Sequence, residues 1–62
     1  MCESAAYILR DGEEELVLES IDLLENRDGQ IELVNLYGEQ KTVRARLKVL
    51  SLVDHKIILE PL

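Results

Sequence analysis

The residue whose type and position most clearly indicate chemistry is Cys2, the single cysteine among 62 residues. With Met1 retained, the Met1 amine, the Cys2 amide nitrogen and the Cys2 thiolate can close two adjacent five-membered chelate rings. With Met1 removed, the Cys2 amine and thiolate close one ring, and the Glu3 amide nitrogen is the next donor. Ni(II) and Cu(II) favour square-planar nitrogen and sulfur donors. We therefore predict a metal site built from Cys2 and the backbone of Met1 and Glu3, against the alternative of an inert terminal thiol.

A second thiolate for this site would have to come from a second chain. A two-fold dimer with its N-termini near the axis would supply two thiolates and complete a shared site. His55 is another soft donor, but it lies in a predicted turn after Asp54, where a solvated polar residue is common. Whether His55 approaches Cys2 is left open by the sequence. Neither CxxC nor HxH spacing occurs, so no closed structural zinc site is predicted.

The composition limits the protein classes that fit the chain. A length of 62 residues predicts one domain, residues 1–62, near the lower limit for folding alone, which favours a homodimer. A net charge of −6 disfavours nucleic-acid binding, which depends on basic side chains. We expect neither a membrane span nor a secretory signal, since no long apolar run is present. A lone free thiol fits a reducing cytoplasm.

Turn signals and alternating apolar residues predict an all-β fold. Asp-Gly pairs at Asp11–Gly12 and Asp28–Gly29 are strong hairpin signals, and further turns are predicted at Tyr37–Gln40 and Val53–Lys56. About six short antiparallel strands in a small SH3-like barrel fit this pattern. The predicted strands are Ala5–Arg10, Glu14–Glu19, Leu23–Asn26, Gln30–Leu36, Thr42–Val49 and Lys56–Glu60.

Three details of these strands are testable. Glu13–Arg27 would also tolerate a helix, but we favour two strands with a bend near Ser20. Strict alternation in Thr42–Val49 predicts one apolar and one basic face, and Pro61 is expected to end pairing of the last strand. The apolar side chains assigned to one face are Val43, Ala45, Leu47 and Val49.

Other charged groups have simpler interpretations than a functional site. The basic stripe of Lys41, Arg44, Arg46 and Lys48 could touch RNA, but it is expected to pair with acidic neighbours instead. Tyr7 and Tyr37, the only aromatic residues, indicate no stacking platform. The Glu13–Glu15 run is interpreted as a solvated edge. No arrangement in the sequence indicates catalysis, so we expect a protein that is not an enzyme.

The chain resembles the CooT family of small bacterial proteins along nearly its whole length. The resemblance lies in the Met-Cys start, Asp11–Gly12 after the first strand, the segment IELVNLYGE (Ile31–Glu39) and the closing ILEP (Ile58–Pro61). It implies an SH3-like homodimer that binds Ni(II) at the subunit interface through the second-residue cysteine, here Cys2. It also implies nickel supply to carbon monoxide dehydrogenase.

The predicted function is therefore a cytoplasmic metallochaperone that carries or delivers Ni(II) for maturation of carbon monoxide dehydrogenase. The predicted partners are a second copy of the chain, the nickel ion, and the dehydrogenase or its maturation proteins. The alternative is an SH3-like RNA-binding or protein-interaction module in which Cys2 is incidental. Copper competes for the same ligand set, and the specific client enzyme stays open.

Overall fold

A computed structural model describes residues 4–51 and 53–62, and these residues form one closed β-barrel. The strands follow one another around the barrel in chain order, so each connection is a short turn between neighbours. No helix of the described residues is long and apolar enough to cross a membrane. The strands are β1 (Ser4–Arg10), β2 (Glu13–Arg27), β3 (Gln30–Asn35), β4 (Gln40–Ser51) and β5 (Lys56–Pro61).

The barrel closes through one parallel pair, because an odd number of strands alternate in direction. Consecutive strands pair antiparallel from β1 to β5, so the first and fifth strands run the same way. The closing pair aligns Ala5 with Lys56 and Ile8 with Leu59. The predicted small all-β barrel is confirmed, with five strands where about six were expected.

The difference in strand number comes from Ser20, where a bend was predicted. Ser20 has a φ of 53°, and the pairing registers of β2 shift on either side of it. The first half of β2 pairs with β1 and the second half pairs with β3. Because hydrogen bonding continues through the bend, Glu13–Arg27 is one strand of 15 residues. The strand interpretation of this segment was correct, and the helical one was wrong.

The two Asp-Gly turns form the tight hairpins that the sequence predicted. Asp11–Gly12 has φ values of 53° and 81°, and Asp28–Gly29 has values of 41° and 83°. Two successive residues at positive φ are the mark of the type I′ turn, whose twist matches that of the flanking strands. The later turns also contain a positive φ, at Gly38 and His55.

The core lies inside the barrel and draws on every strand. Alternation predicts its members correctly on β1 and β3, where every second residue is buried. Val17, Ile21, Leu24 and Val43 pack against the core from partly buried positions. The buried cluster is Ala6, Ile8, Leu18, Ile31, Leu33, Ala45, Ile57 and Leu59.

Strict alternation fails on β4 because the strand contains a register shift. Leu47 pairs with Leu59, but Val49 pairs with Ile58, so one extra residue stands between these two pairs. The shift moves Val49 off the predicted apolar face to a position opposite Ile58, whereas Leu47 stays on the same face as Ala45. Ala45 is fully buried, and both Leu47 and Val49 are exposed. β5 ends at Pro61, as expected, and Pro61 itself forms the last pair of the strand, opposite Ala45. A proline at the end of a strand loses only a donor.

Candidate metal centre

The predicted ligands Met1, Cys2 and Glu3 lie outside the described residues, which begin at Ser4. Their role as ligands stays a prediction. The structure does describe the strand to which these residues are joined and the groups around its first residues.

The start of β1 is held at one end of the barrel, beside the turn between β4 and β5. The Ala5 amide donates a hydrogen bond to the His55 carbonyl oxygen, with a nitrogen–oxygen distance of 3.1 Å. Ser4 pairs with Ile21 on the other side. His55 and the beginning of β1 are thus neighbours, which the sequence left open. The His55 ring belongs to an exposed turn residue, and its approach to Cys2 stays untested.

Within residues 4–51 and 53–62, no three histidine, cysteine or acidic side chains lie together as a metal-binding group. The acidic run Glu13–Glu15 is exposed, as expected of a solvated edge. Two of its members form ion pairs: Glu15 lies 3.1 Å from Arg10, and Glu14 lies 2.6 Å from Lys56. The described side chains therefore supply no competing metal centre.

The basic stripe of β4 is partly neutralised by β5. The Arg46 Nε atom lies 2.8 Å from one carboxylate oxygen of Glu60, and Lys48 Nζ lies 3.8 Å from the other. Pairing with acidic neighbours was expected for all four cations of the stripe, and these two show it. Tyr7 and Tyr37 lie on different elements, on β1 and in the turn after β3. Two of the four cations of the stripe are thus ion-paired with Glu60.

Lys56 links the start of β5 to β1 and β2. Its ammonium lies 5.2 Å from the centre of the Tyr7 ring, a cation–π distance, while it binds the Glu14 carboxylate. The hydrogen bond that the Lys56 ammonium donates to the Glu14 carboxylate raises the pKa of Lys56 above its ordinary value. The ammonium is therefore held charged over the ring, on the outer side of the sheet.

Asn35 is a structural residue that the sequence interpretation missed. Its side chain is 4% exposed, and its Oδ1 accepts hydrogen bonds from the amides of Tyr37 and Glu39. Its Nδ2 donates to the Glu39 carboxylate at 2.7 Å. These bonds fix the turn that presents Tyr37 to solvent. Asn35 and Gly38 are residue types that are common in turns, but nothing in the sequence shows that the side-chain amide of Asn35 is buried.

A family model and a solved structure that match this chain both indicate the same protein family. The family model described as "CO dehydrogenase accessory protein CooT" matches residues 1–60. A crystal structure described as "putative CooT from Carboxydothermus hydrogenoformans" is similar with a TM-score of 0.90 and 41% sequence identity. The match covers 98% of this chain and 98% of that chain. No curated protein matches the sequence.

Proposed function

This chain belongs to the CooT family of CO dehydrogenase accessory proteins, and from that premise we propose that it binds Ni(II) and delivers it to carbon monoxide dehydrogenase. The observation that carries the proposal is the single cysteine at position 2 of a chain in this family. In this function the nickel ion is cargo, and the protein acts as a metallochaperone and not as an enzyme.

The chemistry of the N-terminus supports this proposal. The Cys2 thiolate is the anionic ligand, and backbone nitrogens of Met1, Cys2 or Glu3 complete a planar donor set. Because the thiol proton leaves when the metal binds, the affinity should rise with pH. The described histidine and acidic side chains form no group that would compete for the ion.

The proposed site is shared by two chains in a homodimer. Each chain supplies one Cys2 thiolate, and two-fold symmetry brings the pair together. Ser4 and Ala5 are held by β2 and β5 at the end of the barrel. Since an extended chain advances at most about 3.6 Å per residue, a metal bound by Cys2 stays close to that end. A metal held at the chain terminus is accessible to a recipient enzyme, which suits delivery in the cytoplasm.

Titration of Ni(II) into the wild-type and Cys2→Ser proteins tests the proposal. Changes in the outer partners of metal ligands alone alter affinity by about 10–100-fold, so loss of the thiolate should weaken binding by more than about 100-fold. Isothermal titration calorimetry measures the affinity, and native mass spectrometry reports metal count, chain count and the presence of Met1.

His55→Gln is the matched control, because it removes the other soft donor near the start of β1. It is expected to bind Ni(II) as the wild type does. Unchanged binding in Cys2→Ser would contradict the proposal, and loss in His55→Gln alone would move the site to the turn.

The alternative function, an RNA-binding module, gains no support from the stripe on β4. Two of its four cations pair with Glu60, and the chain carries a net charge of −6. Salt-dependent RNA binding that disappears in an Arg44→Glu, Arg46→Glu variant, together with no nickel affinity, would reverse this preference.

A further inference from the structure

The first half of β2 is paired with another strand along one backbone edge only. Residues 13–18 pair with β1, whereas β3 pairs with β2 only from Ile21 onward. On the edge away from β1, the described strands therefore leave residues 13–19 without a partner. Such an edge presents backbone N–H and C=O groups that can pair with an added strand. We call residues 13–19, with this open side, the β2 edge.

A groove follows the β2 edge. One end of the edge is closed by a hydrogen bond of 3.0 Å that the Leu36 amide donates to the Ser20 carbonyl oxygen. Residues 16–19 line a groove of about 420 Å³, together with residues of the turn after β3 that include Tyr37 and Glu39. Successive side chains of a strand point to opposite faces. Because four consecutive residues line the groove, it runs along the backbone edge and not over one face of the sheet.

The turn that borders this groove is held in a fixed conformation. Asn35 Oδ1 accepts hydrogen bonds from the amides of Tyr37 and Glu39, at 3.0 and 2.8 Å. Tyr37 is 78% exposed in this turn, and Leu16 of the β2 edge is 49% exposed. Both residues line the groove, so an apolar side chain placed beside them would bury surface on a site that is already ordered.

The surroundings of the β2 edge carry an excess of negative charge. Residues 10–19 and 35–41 contain six carboxylates and two cations, and Lys56 of β5 adds a third cation through its ion pair with Glu14. Like charges at directly opposed positions destabilise strand pairing, so two copies of this edge repel each other. The same excess favours a strand that carries cations. The six carboxylates are Asp11, Glu13, Glu14, Glu15, Glu19 and Glu39, and the two cations are Arg10 and Lys41.

We propose that the β2 edge binds an extended basic segment of a partner protein as an added strand. In this mode of recognition, main-chain hydrogen bonds give affinity and alternate side chains give specificity. Alternation along β2 puts Glu13 and Glu15 on one face and Leu16 on the other. The partner strand therefore carries cations on the side of the two glutamates and an apolar residue beside Leu16 and Tyr37. The proposal involves neither Cys2 nor a metal, so it goes beyond the proposed function.

The probe is a synthetic seven-residue peptide of alternating Lys and Val with blocked ends, added to isotope-labelled wild type in metal-free buffer. Amide NMR shifts should change at residues 16–19 and 37–41, and hydrogen exchange of amides in the β2 edge should slow. The matched peptide has a methyl group on every backbone nitrogen, so it keeps the side chains and the charge but has no amide donors. It should bind at least about tenfold more weakly, because several backbone hydrogen bonds are lost.

Two variants of β2 test the position of the contact. Glu19→Lys and Asp22→Lys make the same change of charge at exposed carboxylates of one strand. Glu19 lines the groove, whereas Asp22 lies in the half of β2 that pairs with β3. Glu19→Lys should weaken binding of the unmodified peptide about fivefold or more, and Asp22→Lys should leave it within about twofold of wild type. Circular dichroism verifies that each variant is folded.

Equal affinity of the methylated and unmodified peptides would overturn the proposal, because charge alone would then explain the binding. Absence of binding at about 1 mM peptide would also overturn it, as would equal weakening in Glu19→Lys and Asp22→Lys. If Glu19→Lys fails to fold, the two peptides and wild-type NMR decide the question. Shift changes at residues 16–19 then support the proposal, and changes that leave these residues unaffected overturn it. Nickel binding by Cys2→Ser is measured separately, so failure of the proposed function leaves this test intact.

Discussion

The outer surface over β1 and β5 differs sharply from the outer surface over β3, although both belong to one closed sheet. Over β1 and β5, the central row is apolar from Leu16 to Val49. Over β3, the equivalent row aligns Glu25, Glu32 and Thr42, and Arg27 lies near both carboxylates. The outside of this small barrel therefore carries a charged row over β3 and an apolar row over β1 and β5.

The two central strands explain this difference. β3 alternates, with Ile31 and Leu33 in the core and Glu32 outside. β5 instead contains three consecutive buried residues, Ile57–Leu59, so its outer position is apolar as well. A continuous apolar run is typical of a strand that is covered on both faces. The run in β5 was therefore a sequence signal for a second covered face.

The largest expected effect that separates the two surfaces is on stability. Ile58→Ala should lower the free energy of unfolding by about 2–4 kcal/mol, because it removes a buried side chain and leaves a cavity. Val34→Ala, on the outer side of β3, should lower it by less than about 1 kcal/mol. Urea denaturation at one fixed protein concentration measures both, since the stability of a homodimer, the proposed state of this chain, depends on concentration. Equal losses would show that the two outer surfaces are covered to the same degree.

An intermediate loss of stability is expected on mutation of Asn35, the buried polar residue at the end of β3. Asn35→Ala should cost about 1–3 kcal/mol, because the amides of Tyr37 and Glu39 lose their acceptor. Asn26→Ala, at an exposed position of β2, is the matched control and should cost no more than about 0.5 kcal/mol. Thermal unfolding compares the two variants. A loss at Asn35 no greater than that at Asn26 would mean that water replaces the turn's hydrogen bonds at little cost.

The smallest effect concerns protonation of Lys56 at the start of β5, next to the apolar row. Glu14→Gln should lower the pKa of Lys56 toward its ordinary value of 10.5, because the hydrogen-bonded carboxylate is the main cause of the raised pKa. A raised pKa favours the folded state while Lys56 is charged, and that contribution is lost as the pH rises through the raised value. NMR titration of the lysine side chain measures the change. Glu13→Gln is the control, and an equal shift there would assign the effect to general charge.

Much of the barrel follows from local sequence. The Asp-Gly turns, the alternation of β1 and β3 and the strand character of Glu13–Arg27 depend on neighbouring residues, so they were predictable. Ser20 was recognised as a bend, but hydrogen bonding with β1 and β3 keeps β2 continuous. The shift in β4 depends on how Leu47 and Val49 meet β5, which alternation within β4 does not contain.

The sequence alone supplies the donor groups of the proposed metal site around Cys2 and the turns that make a meandering sheet. Both come from groups that are adjacent along the chain, so no folding is needed to identify them. The neighbours that complete the surface come from far apart: Tyr7 meets Ile58, and the Ala5 amide meets the His55 carbonyl. These contacts exist only because the barrel closes in one register. Closure of the barrel therefore creates the apolar row and the surroundings of Ala5, whereas the position of the Cys2 thiol follows from the order of residues alone.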